Sequence, residues 1–461
     1  MFQKEVYKNR RAELLEKMDS GIIIFMGNQE SPMNYPSNTY HFRQDSNFLY
    51  YVGLPHPNMA MIMDADAKTC TLYGDDFEID DIIWMGPQPK MTELAAQSAI
   101  DHTAPYGDFD KVLIGAKKAG RKIHFLPPYR AENKIKLNAL LDIPFAELKA
   151  KSSTELIKAI VAQREIKTDI EIAEMEKACE TGYMMQTTAM KMAKAGRYER
   201  ELAGTIEGIA LAGGNGVSFP VILSQNGETL HNHDHSQKLE NGRLLLVDCG
   251  AENEMNYCSD YTRTMPVGGK FSDRQKAVYQ IVLDANMEAI KAIKPNVLYR
   301  DIHFLSCRII VEGLQALGLM KGNVNEAVEK GAHALFMPHG LGHQIGLDVH
   351  DMEDLGEDFV GYDEKTKRSS LFGTAYLRMG KELKTGHVVT VEPGIYFVPT
   401  LIDIWKSENK FAEFINYDEV EKYKGFGGIR IEDDILVTEN GYRLLGRPIP
   451  KTIKDVEAMM A

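Results

Sequence analysis

Short apolar runs alternate with charged, helix-like stretches through the first 150 residues of the chain. A charged segment extends to about Met18, and apolar runs follow at 21–27 (GIIIFMG) and 47–53 (NFLYYVG). Apolar runs of this length bounded by turn residues favour strands. Residues 59–74 form two alternating runs around turn-like residues, which predicts a β-hairpin. We expect a small mixed α/β domain here.

The pattern changes at residue 151. From there to about residue 195 the chain is rich in Glu, Lys, Ala, Ile and Met, with apolar residues such as Ile157, Ile160 and Val161 at helical spacing. We place a domain boundary within residues 150–165 and divide the chain into 1–155 and 156–461.

Helices and strands are mixed in the second domain. A helix is expected to end at the glycine pair 213–214, and two long helical stretches are expected between residues 273 and 330. Strand-like runs precede and follow them, interrupted by charged insertions at 351–378 and 401–424. Strands and helices in this order indicate an α+β domain rather than a doubly wound parallel sheet.

The composition mainly excludes certain partners and locations for the protein. The 461 residues carry a net charge of -13 with acidic residues spread along the chain, which disfavours nucleic acid as a partner. The charged N-terminus lacks the features of a signal peptide, and the longest early apolar run is too short to span a membrane. Five scattered cysteines give no disulfide framework, so a cytoplasmic location is expected.

Four acidic residues lie in or beside strongly apolar strand patterns. Asp248 and Glu392 each close an apolar run, Asp260 begins the strand that returns from Asp248, and Glu432 lies within GGIRIEDDI. Burying a carboxylate without a partner is costly. Divalent cations are the partner that such a cluster favours.

A nitrogen ligand is available in the segment MPHGLGHQIGLDVHD, which contains His339, His343 and His350. Its glycines interrupt any helix, so these residues do not form a helical zinc-binding pair. Taken alone, three ordinary loop histidines remain the alternative interpretation.

In chain order these residues form a D…D…H…E…E series. This series resembles the metallopeptidases of the aminopeptidase P, prolidase and methionine aminopeptidase superfamily, whose catalytic domain has the pita-bread fold. The resemblance rests on five strings within residues 244–437, namely VDCGAE, SDYTRT, HGLGHQIGLDVHD, VTVEPGIYF and GGIRIEDDI.

The first domain narrows the resemblance. The string FRQDSNFLYYVG at 42–53 looks like the N-terminal domain of aminopeptidase P and prolidase, which methionine aminopeptidases lack. WMGP at Trp84 and FGGIRIEDD are similar to eukaryotic-type prolidase. One departure is the spacing from Asp248 to Asp260, which is one position longer than the family pattern. We expect the added residue at the hairpin tip, around 252–254, because a residue inside a strand would turn Asp248 to the wrong face.

The resemblance implies a site for two divalent ions. Asp260 and Glu432 would bridge them, Asp248 would complete one site, and His343 and Glu392 the other. Oxygen-rich ligation with one imidazole suits Mn²⁺, with Zn²⁺, Co²⁺ or Fe²⁺ as alternatives. Glu392 is also the candidate proton shuttle.

Positions that handle substrate in the family match five further residues. His350 is expected to bond the scissile carbonyl and His339 the proline-side residue, while Arg378 matches the arginine that holds a dipeptide's free carboxylate in prolidases. Its alternative is a surface ion pair. His231 and Arg430 complete the set. Nothing matches His233 or His235, for which solvated loop positions are expected.

The implied activity is hydrolysis of the bond between an N-terminal residue and proline, as an Xaa-Pro aminopeptidase. The first alternative is an Xaa-Pro dipeptidase. A non-catalytic peptide-binding module on the same fold and a metal-free hydrolase like creatinase are disfavoured, because all five ligands are present. Proline-containing peptides are the expected partners. Members of the family usually form dimers, so the resemblance also implies a homodimer.

Overall fold

The computed structural model describes residues 1–461 and divides them into two compact units, Met1–Arg164 and Glu165–Ala461. The predicted boundary at 155/156 lies near the start of the last helix of the first unit. Both units mix helices and strands, so the expected α+β class is confirmed. No helix has the length and apolar character needed to cross a membrane.

The first unit contains eight α-helices and seven strands. Its helices are α1 Lys4–Lys17, α2 Ser46–Val52, α3 Ile79–Met85, α4 Met91–Gln97, α5 Tyr106–Lys118, α6 Ala131–Leu141, α7 Leu148–Lys151 and α8 Thr154–Arg164, with a 3-10 turn at Phe145–Glu147. Its strands are β1 Ile22–Met26, β2 Pro32–Tyr35, β3 Asn38–Thr39, β4 Ala60–Asp64, β5 Thr69–Tyr73, β6 His102–Ala104 and β7 Ile123–His124.

A five-stranded mixed sheet of order β6-β5-β4-β1-β7 organises this unit. The hairpin predicted at 59–74 is formed by β4 and β5, which pair antiparallel from Ala60–Tyr73 to Asp64–Thr69. Strand β1 alternates between two buried faces: Ile22 and Ile24 pack with α5 and α6, whereas the ring of Phe25 lies 4.8 Å from that of Tyr51 on α2.

The strand expected at residues 47–53 is wrong, because these residues form helix α2. Its side chains from Phe48 to Val52 are all buried, and a short run that is buried on every side does not distinguish strand from helix by its pattern. The ends of the helix decide its conformation. The Asp45 side chain accepts a hydrogen bond from the amide of Phe48, and Gly53 adopts the left-handed conformation that ends a helix (φ 75°).

The second unit has nine α-helices and ten strands. The helices are α9 Asp169–Met192, α10 Glu199–Gly213, α11 Asp273–Ala292, α12 Tyr299–Ala316, α13 Val324–Lys330, α14 Glu357–Val360, α15 Pro399–Ser407, α16 Tyr417–Val420 and α17 Ile453–Met460, with 3-10 turns at Ala332–Leu335, Glu353–Leu355, Thr374–Tyr376 and Glu421–Tyr423. The strands are β8 Gly216–Val217, β9 Ile222–Ser224, β10 Leu244–Cys249, β11 Ala251–Glu252, β12 Tyr261–Pro266, β13 Val388–Val391, β14 Gly394–Tyr396, β15 Gly428–Arg430, β16 Asp433–Thr438 and β17 Gly441–Leu444.

Two three-stranded antiparallel sheets, β12-β10-β9 and β13-β16-β17, carry the acidic residues. Two buried amides from long helices bond to their backbone. Gln186 of α9 donates to the carbonyls of Val247 (3.1 Å) and Tyr261 (2.6 Å), and Asn286 of α11 donates to that of Val391 (3.0 Å). Because each amide fixes a helix to particular strands, the strand ends are held rigidly.

The hairpin between Asp248 and Asp260 keeps a single register along its length. Leu244 pairs with Pro266, Cys249 with Tyr261, and beyond them Glu252 bridges to Cys258 without any shift. The turn lies at 253–257, where the amide of Asn256 bonds to the carbonyl of Asn253. The paired strands therefore contain no bulge, and the unpaired residues of the hairpin lie at its tip.

Candidate metal centre

One pocket of about 530 Å³ in the second unit collects every site residue expected from the sequence. Its walls also include apolar side chains, among them Phe219, Ile222 and Leu230. The ten expected residues that line it are His231, Asp248, Asp260, His339, His343, His350, Arg378, Glu392, Arg430 and Glu432.

The strands determine the positions of the candidate ligands. Asp248 lies on the central strand β10, opposite Thr262 on one side and Ile222 on the other. Glu392 directly follows β13, and Glu432 lies between β15 and β16. The amide of Glu432 donates to the carbonyl of Thr262 (3.0 Å), which joins the two halves of the site through their backbones.

Asp260, His343 and Glu432 offer three ligand atoms within 4.8 Å of one another, and all three residues are buried. His343 Nδ1 donates to the carbonyl of Gln344 (3.0 Å), so the lone pair is on Nε2. That nitrogen lies 3.5 Å from Asp260 Oδ2 and 3.6 Å from Glu392 Oε1. The imidazole is therefore in the tautomer that a metal ligand needs.

The clustered acids repel one another electrostatically. Burial, together with neighbouring carboxylates, raises the pKa of Asp260 and Glu432 well above the usual range and that of Glu392 to about 7. Burial lowers the pKa of His343, so this imidazole is neutral and does not offset their negative charge. The buried Oδ1 atoms of Asp248 and Asp260 have no hydrogen-bond partner.

These observations fit divalent cations. The cluster has unpaired carboxylate oxygens, raised carboxyl pKa values and a neutral imidazole with its lone pair directed at the acids, and positive charge at its centre would stabilise all three. Four carboxylates and one imidazole form a donor set of predominantly oxygen character, as Mn²⁺ prefers.

Arg430 supplies the only arginine charge that is fully buried against these acids. It forms an ion pair with Asp248, donates from Nη1 to the hydroxyl of Tyr396 (2.8 Å) and from Nε to the hydroxyl of Thr262 (3.0 Å). The guanidinium thus holds Asp248 and Tyr396 in fixed positions at the edge of the metal cluster.

Both ring nitrogens of His339 are already engaged by the protein. Nδ1 donates to the carbonyl of Gly340 (2.7 Å), and Nε2 therefore accepts from the hydroxyl of Tyr396 at 2.9 Å. Burial lowers the pKa of His339 to about 3, so it stays neutral. In this state His339 offers substrate its ring edge rather than a free hydrogen-bonding atom.

Glu353 connects two residues expected to bind substrate. It accepts from Nδ1 of His350 at 2.5 Å, and the same Oε2 lies 3.4 Å from Nε of Arg378. Arg378 is also 3.6 Å from a carboxylate oxygen of Glu357. The guanidinium of Arg378 thus lines the pocket and also belongs to an ion-pair network with Glu353 and Glu357.

The histidines of segment 231–235 differ in position. His231 lines the pocket from an exposed loop. His233 is also exposed and lines the pocket, although sequence gave no reason to include it, and His235 bonds through Nδ1 to the carbonyl of Leu223 at 2.9 Å.

Sequence reasoning also missed the polar residues that hold the ligands. Thr262 donates to Glu432 (2.7 Å), and Thr390 accepts from the amide of His343 (3.1 Å). Each lies two positions from a ligand, Thr262 after Asp260 and Thr390 before Glu392. Because strand side chains repeat every two residues on one face, this spacing was the available signal.

Comparisons with known proteins show which family this chain resembles. The sequence profile described as Metallopeptidase family M24 matches residues 173–439, and that of the aminopeptidase P N-terminal domain matches residues 7–124. A probable Xaa-Pro aminopeptidase of Paracoccidioides brasiliensis is 32% identical over 99% of this chain and 97% of its own length. The human Xaa-Pro dipeptidase is also 32% identical, over 98% of this chain and 92% of its own.

Solved structures of aminopeptidase P have a similar fold. An Escherichia coli aminopeptidase P variant in complex with substrate has a TM-score of 0.81 at 27% identity, covering 100% of this chain and 98% of the other. The aminopeptidase of Pseudomonas aeruginosa has the same TM-score and identity, with coverage of 100% and 99%.

Proposed function

Because the chain belongs to metallopeptidase family M24, we propose that it is an Xaa-Pro aminopeptidase, which removes an N-terminal residue from peptides with proline in second position. The observation that carries this proposal is the pocket in which all five ligand positions and five substrate positions converge. An aminopeptidase P-type first domain and relatives of that activity over nearly the whole chain support it.

Asp248, Asp260, His343, Glu392 and Glu432 would hold two divalent ions, and Mn²⁺ suits their donor atoms best. Ions bound there would supply activation of water at neutral pH and stabilisation of negative charge on the scissile carbonyl oxygen. A Zn-substituted form is known for the structural relative from Escherichia coli, so Zn²⁺ is a candidate substitute.

Protein residues supply proton transfer and positioning. Glu392 takes the proton of the attacking water and passes it to the leaving nitrogen of proline, a task suited to a carboxylate that is partly open to the pocket. His350, held through Nδ1 by Glu353, presents Nε2 to the scissile carbonyl. His231, His339 and Arg430 shape the wall that receives the substrate.

The alternative activity is that of an Xaa-Pro dipeptidase, and one observation bears on the choice. Arg378 would hold the free carboxylate of a dipeptide, since its planar fork pairs bidentately with such groups. In this chain, however, Glu353 and Glu357 already lie beside it. Two neighbouring carboxylates weaken the attraction of a third, which favours the aminopeptidase.

Product analysis decides between the two activities. Protein reconstituted with Mn²⁺ is given an Xaa-Pro dipeptide and a matched Xaa-Pro-Yaa tripeptide, and the released amino acid is quantified. An aminopeptidase cleaves the tripeptide with higher kcat/KM. Turnover confined to the dipeptide would assign the dipeptidase instead, and cleavage of neither substrate would contradict the proposed function.

We also propose that the protein acts in the cytoplasm as a homodimer. All five cysteines are free, as expected in a reducing compartment. The dimer rests on family resemblance, and the molar mass in solution tests it.

A further inference from the structure

A second cluster of metal-binding side chains lies on other elements of the second unit. His303 and Cys307 are one turn apart on α12, and His333 lies in the 3-10 turn Ala332–Leu335. All three are fully buried, at 0% exposure. One ligand atom from each lies within 4.8 Å of the other two. None of them lines the acidic pocket.

His333 is the observation that sets this cluster apart from ordinary core packing. Neither of its ring nitrogens has a hydrogen-bond partner, although both are buried. An imidazole must offer at least one donor and one acceptor, and leaving buried polar atoms unpaired is costly enough that native proteins rarely do so. Such a residue calls for an ion or a water molecule.

The distances favour an ion of tetrahedral preference. Cys307 Sγ lies 3.6 Å from Nε2 of His303. Ligands at about 2.3 Å (sulfur) and about 2.0 Å (nitrogen) from a tetrahedral zinc are separated by about 3.5 Å. The His303–Cys307 pair is therefore close to the spacing of two zinc ligands. Because Sγ also lies 4.0 Å from Nδ1, the His303 ring must turn to direct Nε2 at an ion shared with Cys307 and His333.

We propose that His303, Cys307 and His333 form a buried site for one Zn²⁺ ion, separate from the acidic metal centre and independent of its function. Two imidazoles and one thiolate suit zinc, whereas the carboxylate-rich pocket suits harder ions. A water molecule would supply the fourth ligand of a tetrahedral zinc.

The protonation states agree with this chemistry. Burial lowers the pKa of His303 to about 3 and that of His333 to about 4, so both imidazoles are neutral and able to bind metal. Burial raises the pKa of the Cys307 thiol. The metal-free cluster therefore holds that proton, and zinc binding releases it to solvent as the Zn–S bond forms.

The first test uses Co²⁺ as a spectroscopic probe. Protein is produced in cells supplied with Co²⁺, so that the ion is present while the chain folds and access to a buried site does not limit binding. Thiolate ligation gives an intense near-ultraviolet charge-transfer absorption, and no cysteine lines the acidic pocket. We expect this absorption in the wild type and in a Cys179→Ser control, which alters another buried helical thiol, and its loss in Cys307→Ser. Absence of the absorption from the wild type would overturn the proposal.

A second variant separates metal binding from packing. Leucine at position 333 removes two unpaired nitrogens, so His333→Leu should raise the Tm of metal-free protein. For protein produced with Zn²⁺, the wild type should have the higher Tm, because only the wild type retains the ion at this site. A variant more stable than the wild type under both conditions would show that His333 is a poorly satisfied core residue and that the site does not exist.

Discussion

Glu353 accepts the Nδ1 proton of His350 over 2.5 Å, and this contact determines what the histidine can offer to substrate. With Nδ1 committed, only Nε2 of His350 can contact a ligand, and it donates to a carbonyl only when it also carries a proton. The hydrogen bond from His350 in turn lowers the pKa of Glu353 to about 2, so the carboxylate is ionised throughout the neutral range.

Glu353→Gln should therefore lower kcat by roughly tenfold to a hundredfold, the usual cost of losing a hydrogen bond to a charged group. Metal content should be unchanged. The loss should appear in kcat rather than in KM, because the variant holds the His350 ring less firmly. Glu357→Gln is the matched control, since it faces Arg378 but has no contact with His350. Equal losses of kcat in both variants would contradict the role of Glu353.

Glu392→Gln should abolish measurable turnover, because it removes a ligand charge and the group proposed to transfer the proton. Metal content and Tm must be measured on the same preparation. If the variant bound a full complement of metal and kept wild-type kcat, the assignment of Glu392 would be wrong. Glu353→Gln serves again for comparison, since it alters the pocket without touching a ligand.

Arg378→Ala discriminates between the two peptidase activities. If its guanidinium holds a free C-terminal carboxylate, kcat/KM for an Xaa-Pro dipeptide should fall at least about tenfold, while that for Xaa-Pro-Yaa should hardly change. Arg368→Ala is a suitable control, because Arg368 pairs with the same Glu357 but does not line the pocket. Equal losses on both substrates would mean that Arg378 serves the structure of the insertion.

Stability of the metal-free protein should depend on pH through the acidic cluster. The folded state raises the pKa of Asp260 and Glu432, and that of Glu392 to about 7, so it retains protons that the unfolded chain loses near its usual value of about 4. Stability from these groups is therefore present at low pH and is lost as pH rises towards 7.

We consequently expect added Mn²⁺ to raise the Tm more at about pH 7.5 than at about pH 5, where protons compete for the ligands. Thermal unfolding at both pH values, with Mn²⁺ or with chelator, measures the difference in Tm. Mg²⁺, which dehydrates reluctantly, is the matched ion control. A Mn²⁺ effect of equal size at the two pH values would contradict the assignment of these carboxylates as ligands.

The sequence pointed to the candidate ligands more clearly than to the residues that contact them. Asp248 and Glu392 stood out because a carboxylate closing an apolar strand is chemically unusual, and period two placed Arg430 on the same face as Glu432. The contacts of Glu353 with His350 and Arg378 had no such signal, since they depend on the path of a charged insertion. Likewise, nothing in the pattern around His333 indicated that residues thirty positions apart, on α12 and a short turn, would meet.

The same limit explains the error at residues 47–53. Aromatic residues favour strands in general, but the local conformation was decided by Asp45 and Gly53 at the ends of the segment. Capping is a local interaction, and the periodicity of hydrophobic residues contains no information about it. It was nevertheless readable from residue type, since Asp before and Gly after an apolar run are helix boundary signals.

The ligands of the acidic centre come from four separate stretches of chain, and the first and last of them are bonded directly through Thr262 and Glu432. A growing polypeptide consequently has no complete binding site until β15 and the residues after it have been synthesised. Metal binding would then show that the second unit has folded completely. A chain that ends before Glu432 should bind little metal even if its helices form. Cellular proteases should cleave such fragments faster than the full chain, because the fragments lack the Thr262–Glu432 hydrogen bonds that join the two halves of the candidate centre.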